Sequence, residues 1–218
     1  MKASFWHERW EQNRPGFQQD AVNGYLEAHW NRVGVSAGSC VLVPLCGKSL
    51  DMMWLRDQGH SVLGVELSPV AVQAFFEENG LEVQKREPGG FMRSEADGIT
   101  ILCGDFFDLT TEDIKGVSGI YDRGALIALP PEMRERYAAH MANLFRGSVE
   151  ALLIAVDYPQ KEMNGPPFAV SEGEIRTLFG DAFEIERLEI QDVLEAHQRF
   201  KDRGLTALTE SAYLLRRG

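Results

Sequence analysis

Glu66 stands 19 residues after Gly47, and each follows or closes a short β-branched apolar run, Cys40 to Leu45 and Ser61 to Leu67. A glycine just past such a run lets the backbone approach a ligand closely where the next helix begins. An acidic residue at this spacing accepts hydrogen bonds from ribose hydroxyls in doubly wound sheets and selects a free diol over a 2′-phosphate. The alternative for Glu66 is a charge favoured by the positive end of the following helix. Gly47-Lys48-Ser49 looks like the end of a phosphate-binding loop, but that motif needs a glycine where Leu42 stands inside a strand.

A third apolar run, Ile99 to Cys103, leads into Gly104-Asp105-Phe106-Phe107. Asp105 offers an acceptor for an exocyclic amine and Phe106 a ring for a flat base. Alternatively Asp105 caps the next turn and the rings, Phe107 in particular, are core. A fourth run ends in Tyr121-Asp122-Arg123-Gly124. There Arg123 either holds a carboxylate bidentately, faces a second substrate, or forms a structural ion pair. The glycine-rich dinucleotide fingerprint is missing, and Leu45-Cys46 leaves little room for a pyrophosphate. An amino acid joined to adenosine places no phosphate there, so these residues favour S-adenosyl-L-methionine over a nicotinamide dinucleotide.

Metal chemistry is not expected. Cys40, Cys46 and Cys103 form no CxxC pair, and His7, His29, His60, His140 and His197 lack the spacing that sets two ligands on one helix face. The cysteines are expected to be reduced.

The elements that position these residues alternate. A helix is predicted over Leu50 to Gln58, stopped by Gly59, and a second from Pro69, with Ser68 as its cap, to Asn79-Gly80. Gly119 to Tyr121 reads as the core of a fourth strand and Ala151 to Asp157 as a fifth, with a helix over Pro130 to Phe145 between them. Ser171 and Glu174 are spaced as a capping box. Phe183 to Ile190 and Ala207 to Leu215 alternate as an antiparallel hairpin does, and residues 81–98 read as an inserted hairpin. The predicted fold is α/β and doubly wound, with a mostly parallel, Rossmann-like sheet and an antiparallel C-terminal edge. Residues 1–34 lie outside these repeats and carry Phe5, Trp6, Trp10, Phe17, Tyr25 and Trp30. They are read as a helical aromatic segment, either packed on the sheet edge or acting as a lid.

A chain of 218 residues suits one domain over 1–218, and 44% hydrophobic with 25% charged residues excludes disordered and fibrous classes. Net charge of −11 repels phosphate backbones and anionic lipid, so neither nucleic acid nor membrane is an expected partner. The N-terminal stretch has no apolar core of the kind secretory signals need. A cytoplasmic monomer is expected.

Taken together, Trp6, Trp10 and Phe17, the segment Pro44-Leu45-Cys46-Gly47-Lys48-Ser49-Leu50-Asp51-Met52, Gly64-Val65-Glu66, Gly104-Asp105-Phe106-Phe107, Tyr121 to Leu126, Gly165-Pro166-Pro167-Phe168 and Arg199 resemble the bacterial thiopurine S-methyltransferases. The resemblance runs end to end. It implies a class I methyltransferase sheet, in which the N-terminal aromatic segment is expected to serve as the lid already read from its residues, and an S-adenosyl-L-methionine site lined by Trp10, Leu45, Glu66 and Arg123, to which the residues themselves add Gly47, Asp105 and Phe106. It also implies that Phe17 and Arg199 lie near the acceptor, a small heteroaromatic thiol, and that selenium and tellurium compounds are acceptors for some relatives. Arg123 and Arg199 are then the candidate catalytic residues, attracting a thiolate that needs no covalent nucleophile on the enzyme. Rival readings are a methyltransferase for oxygen or nitrogen acceptors, needing a base such as His197 or Asp122, and a non-catalytic adenosine-ligand-binding module.

Overall fold

Strands covered by helices on both faces bury every side chain, and for that reason the central strands read in the sequence as unbroken apolar runs. The computed structural model describes residues 3–12, 14, 16, 18–87 and 90–218. Two helices come first, α1 (Ala3–Glu11) and α2 (Gly24–His29), the second continuing into a 3-10 turn. Then follow β1 (Cys40–Pro44), α3 (Asp51–Asp57), β2 (Ser61–Glu66) and α4 (Pro69–Glu78). A hairpin of β3 (Gln84–Arg86) and β4 (Met92–Ala96) precedes β5 (Ile99–Cys103). The chain continues through β6 (Val117–Arg123), α5 (Ala125–Ala128), α6 (Pro131–Leu144) and β7 (Val149–Asp157). It ends with α7 (Glu172–Phe179), β8 (Glu184–Asp192), α8 (Gln198–Lys201) and β9 (Thr209–Arg217).

These strands form one nine-stranded sheet in the order β3-β4-β5-β2-β1-β6-β7-β9-β8. Pairing is parallel from β5 through β2, β1 and β6 to β7, and antiparallel at both margins. The predicted C-terminal hairpin is present, with β9 inserted between β7 and β8 and antiparallel to both. At the other margin the predicted insertion over 81–98 supplies β3 and β4, although Pro88 and Gly89 lie outside the described residues.

Local chemistry explains the helix ends. Ser68 accepts the Ala71 N–H at 3.5 Å ahead of Pro69, so α4 starts where a fixed φ costs nothing. Ser171 caps α7 by accepting the Glu174 N–H at 3.2 Å, but the reciprocal half of the expected capping box is absent among the described residues. The Glu174 carboxylate pairs instead with Arg134 at 2.5 Å, because an almost fully buried guanidinium demands a counter-charge more strongly than a helix end does.

Two apolar layers hold the sheet. One contains Leu126, Tyr137, Met141, Ile175 and Phe179 of α5, α6 and α7; the other contains Leu26, Met52, Leu55, Val72 and Phe75 of α2, α3 and α4. Gly64 in β2 is a packing requirement: a Cβ there would stand 2.8 Å from the Cys46 sulfur and 3.2 Å from Ile101 and Met52. The bare backbone at this point lets the loop after β1 fold its cysteine into the second layer.

Candidate active site

Between β1 and β6 the connections leave the sheet in opposite directions, which opens a crevice past the carboxyl ends of the strands. A cavity of about 250 Å³ lies there. The loop after β1 contributes Leu45, Cys46 and Gly47, the end of β2 contributes Glu66, the turn after β5 contributes Asp105, Phe106 and Phe107, and β6 contributes Arg123. From α1, Trp6 and Trp10 reach the same cavity.

The first loop is shaped by two left-handed residues, Leu45 at φ +48° and Gly47 at φ +54°. Glycine accepts that conformation readily; leucine does so only when its surroundings hold it there. The Cys46 N–H supplies one hold, donating to the Val65 carbonyl at 3.0 Å. Glu66 supplies another, because the Gly47 N–H donates to its Oε2 at 2.9 Å while the Ser68 N–H donates to its Oε1 at 2.7 Å. The two sequence alternatives for Glu66 therefore coincide in one place: it lies at the cavity and also meets the N-terminus of α4. At 6% exposure, burial pushes its carboxyl above the usual range, and the backbone N–H groups at Ser68 and Gly47 pull the other way.

Gly47 is also covered. A Cβ built on it would come within 3.1 Å of the Trp10 ring, so α1 is seated directly on the loop although none of its residues is fully buried. Gln18 donates to the Lys48 carbonyl at 3.2 Å, and Lys48 itself turns outward to Glu78 on α4 at 2.5 Å. That lysine holds the loop in place and does not line the cavity, which closes the phosphate-loop reading.

Asp105 lines the cavity, and its capping alternative is realised, since it accepts the Phe107 N–H at 3.0 Å. Phe106 is 4% exposed and packs on Tyr137 with ring centroids 5.1 Å apart. Phe107 does both things considered for it: half-buried, it packs against the core layer and also lies at the cavity wall, with the Arg136 guanidinium 3.9 Å from its ring centre. The guanidinium of a residue on α6 covers one face of that ring, a cation–π contact that no local pattern announces.

Arg123 is half-buried at the cavity, just before Gly124. Its neighbour Asp122 turns to the other layer, where it accepts the Tyr137 hydroxyl at 2.7 Å and the Leu126 N–H at 3.2 Å. Burial first, against these hydrogen bonds, pushes the Asp122 carboxyl up to about 6. It is not among the cavity-lining residues, and neither is His197. Arg199, on α8, is exposed, lies 4.7 Å over the Phe200 ring and does not line the cavity itself. Its pKa is held below the ordinary value by desolvation and then by the charges of Arg123 and Arg203, which places it within electrostatic reach of Arg123. Glu195, four residues before it, pairs with Lys201 at 2.9 Å and not with Arg199. Phe17 lies outside the described residues.

Sequence reasoning missed Met133, Arg136 and Tyr137, which line the cavity from α6. Their spacing on one helical face was the available signal, but period alone does not say whether a face meets core or ligand. Among the described residues no three metal-ligating side chains are grouped, and Cys40, Cys46 and Cys103 are free thiols. The Gly165-Pro166-Pro167-Phe168 motif seals the wall behind α5: the Phe168 N–H donates to the Ile127 carbonyl at 2.8 Å and Tyr158 donates to the Pro167 carbonyl at 2.6 Å.

Strand order and a cavity at the switch point are those of the S-adenosyl-L-methionine-dependent methyltransferases of class I. A solved methyltransferase of that dependence from Anabaena variabilis superposes with a TM-score of 0.65 at 14% identity, over 99% of this chain and 95% of its own. A profile of the thiopurine S-methyltransferase family matches residues 1–218. The thiopurine S-methyltransferase of Pseudomonas paraeruginosa is 51% identical over 218 residues, 100% of each chain. That of Methylococcus capsulatus is 51% identical over 217 residues, 99% of this chain and 98% of its own. The chain belongs to the thiopurine S-methyltransferase family.

Proposed function

We propose that the chain transfers the methyl group of S-adenosyl-L-methionine to the sulfur of an aromatic or heterocyclic thiol, selenolates and related tellurium species being acceptors of the same soft kind. The observation that carries this reading is the convergence of Gly47, Glu66, Asp105 and Arg123 on one cavity covered by Trp6 and Trp10.

The donor set fits an adenosine joined to an amino acid. Each Glu66 oxygen accepts one backbone N–H and keeps capacity for a ribose hydroxyl. All of Leu45, Gly47, Asp105, Phe106 and Arg123 line the cavity, and in this reading Asp105 would accept from an exocyclic amine, Phe106 would give an apolar wall, and Leu45, Gly47 and Arg123 would hold the amino-acid end. When bound, S-adenosyl-L-methionine supplies a methyl on a sulfonium whose departure leaves a neutral thioether. For their part, Arg123 and Arg199 favour the ionised form of the acceptor sulfur, and the aromatic cover of α1 excludes water and holds sulfur in line with the methyl. A thiolate arrives already deprotonated, so no base is needed. Asp122 is not itself among the cavity-lining residues, and its carboxylate is held by the Tyr137 hydroxyl, which supports a reading without one. In this reading α1 is a lid, residues 1–218 act as one domain, and the enzyme is a cytoplasmic monomer with a small-molecule acceptor. A net charge of −11 agrees with the lack of a nucleic-acid partner, and no helix among the described residues is long and apolar enough to cross a membrane.

The test is a methyl-transfer assay with thiol, selenol, phenol and amine acceptors beside calorimetric titration of S-adenosylhomocysteine. Turnover is expected for the thiol and selenol. Preference for a phenol or an amine overturns the acceptor class, and tight binding with no turnover of any acceptor makes the chain a binding module.

A further inference from the structure

Arg123 has an acidic neighbour that sequence motifs do not reveal, because it comes from the far end of the chain. In the sheet Arg123 is paired with Ile154 of β7, and Ile154 with Ala212 of β9. Ile154 and Ala212 are buried in the same layer as Tyr25 and Tyr121. Residues two apart on a strand share a face, so Glu210 joins this face one step nearer the carboxyl-end edge, where the cavity opens. Two strand spacings and one step along β9 separate the Cα atoms by roughly 12 Å, near enough for the two charges to act on each other without forming an ion pair.

Other neighbours mark where the carboxylate lies. The Tyr25 hydroxyl is buried with no hydrogen-bond partner among the described residues. Burial, then Glu210 and Glu189, push it up to about 12. The Glu210 carboxyl is itself pushed up by burial and drawn back by Arg123. Glu210 thus acts electrostatically on both Tyr25 of α2 and Arg123 of β6, on the sheet face that the strand register gives it. The charged groups around it are Arg123 with Arg199 and Arg203 beyond, and Glu189 and Asp51 on the acidic side, with Tyr25 and Tyr121 as neutral hydroxyls.

We infer that Glu210 is a positioning residue for methyl transfer: it is the counter-charge that limits how strongly Arg123 draws on a thiolate in the cavity. The inference rests on the reading that Arg123 faces an ionised thiol. A guanidinium alone would lower the thiol pKa and with it the nucleophilicity of the sulfur, since thiolates become weaker nucleophiles as they become weaker bases. A carboxylate behind the guanidinium restores basicity to the attacking sulfur without touching it. No bond to Glu210 forms or breaks.

The experiment titrates a chromophoric mercaptopyridine by ultraviolet absorbance in the ternary complex with S-adenosylhomocysteine. Glu210→Gln keeps the length and an amide oxygen for the guanidinium but removes the charge, and the bound thiol is expected to ionise about 0.5–1 pH unit lower than in the wild type. Glu210→Asp keeps the charge and stays nearer the wild type. Glu210→Met, which suits a half-buried site if the glutamine variant does not fold, repeats the downward shift. An unchanged midpoint in the charge-removed variants, with the thiol bound, overturns the role of Glu210 alone. A mercaptopyridine that does not bind the wild-type complex at all overturns the thiol reading and this inference with it.

Discussion

Gly47 donates its backbone N–H to the Oε2 of Glu66 at 2.9 Å, so the cavity loop is held by the residue that also meets the N-terminus of α4. Glu66→Ala strips acceptors from two backbone donors and from the ribose diol. We expect a loss of about 1–3 kcal/mol of stability in chemical unfolding. Binding of S-adenosyl-L-methionine is expected to weaken by about 10–150-fold in calorimetry. From the sequence alone only the second effect is expected. Unaltered affinity in the folded variant would leave Glu66 with its loop-holding role only.

Gly47→Ala introduces a methyl 3.1 Å from Trp10 at a φ of +54°. The backbone part of the cost is about 1 kcal/mol. The steric part belongs to Trp10, so a double-mutant cycle with Trp10→Ala should be sub-additive in unfolding free energy. Strict additivity would show that the two residues are not in contact in solution.

The cover formed by α1 has no fully buried residue, so its own anchoring is weak. Hydrogen exchange over residues 3–12 should slow markedly when S-adenosylhomocysteine and an acceptor bind. Equal exchange with and without ligands would make α1 a fixed helix.

Arg199→Lys keeps charge but loses the planar fork above Phe200. Turnover of a heteroaromatic thiol should fall about tenfold in kcat/KM, about 1.4 kcal/mol, with S-adenosyl-L-methionine affinity retained. Steady-state kinetics with both substrates varied provide the check. Unchanged acceptor kinetics in Arg199→Lys and Arg199→Ala would remove Arg199 from the site.

Asp122 sets a pH dependence of stability. Its folded pKa is raised to about 6 from 3.8, so it adds stability below the lower value, and that stability is lost as pH rises through about 6. Thermal unfolding of the wild type relative to Asp122→Asn should therefore show an advantage that shrinks between pH 5 and pH 7, pH values chosen to bracket this titration. A pH-independent difference would contradict a raised carboxyl.

Element order and type were legible in the amino-acid sequence because they follow from local causes. Apolar runs bounded by glycine or helix caps set the strands β1, β2, β5 and β7, and Ser68-Pro69 set the start of α4. The residues past the strand ends were legible for the same reason: in a doubly wound sheet that edge opens to ligand whatever the side chains. Hence Gly47, Glu66, Asp105, Phe106 and Arg123 were singled out from the strand ends, and they line the cavity together with Leu45, which the family resemblance supplied. Tertiary structure alone decided what each side chain does there. Phe107 serves both core and wall with the Arg136 guanidinium of α6 over its ring, Asp122 stands behind the wall because the cavity-lining Tyr137 offers it a hydroxyl, and Glu174 pairs with Arg134 instead of completing its capping box. Each choice is a competition between partners distant in sequence, settled by burial: a charge or hydroxyl removed from water takes the partner that packing brings to it, and neither spacing nor period encodes which one that is.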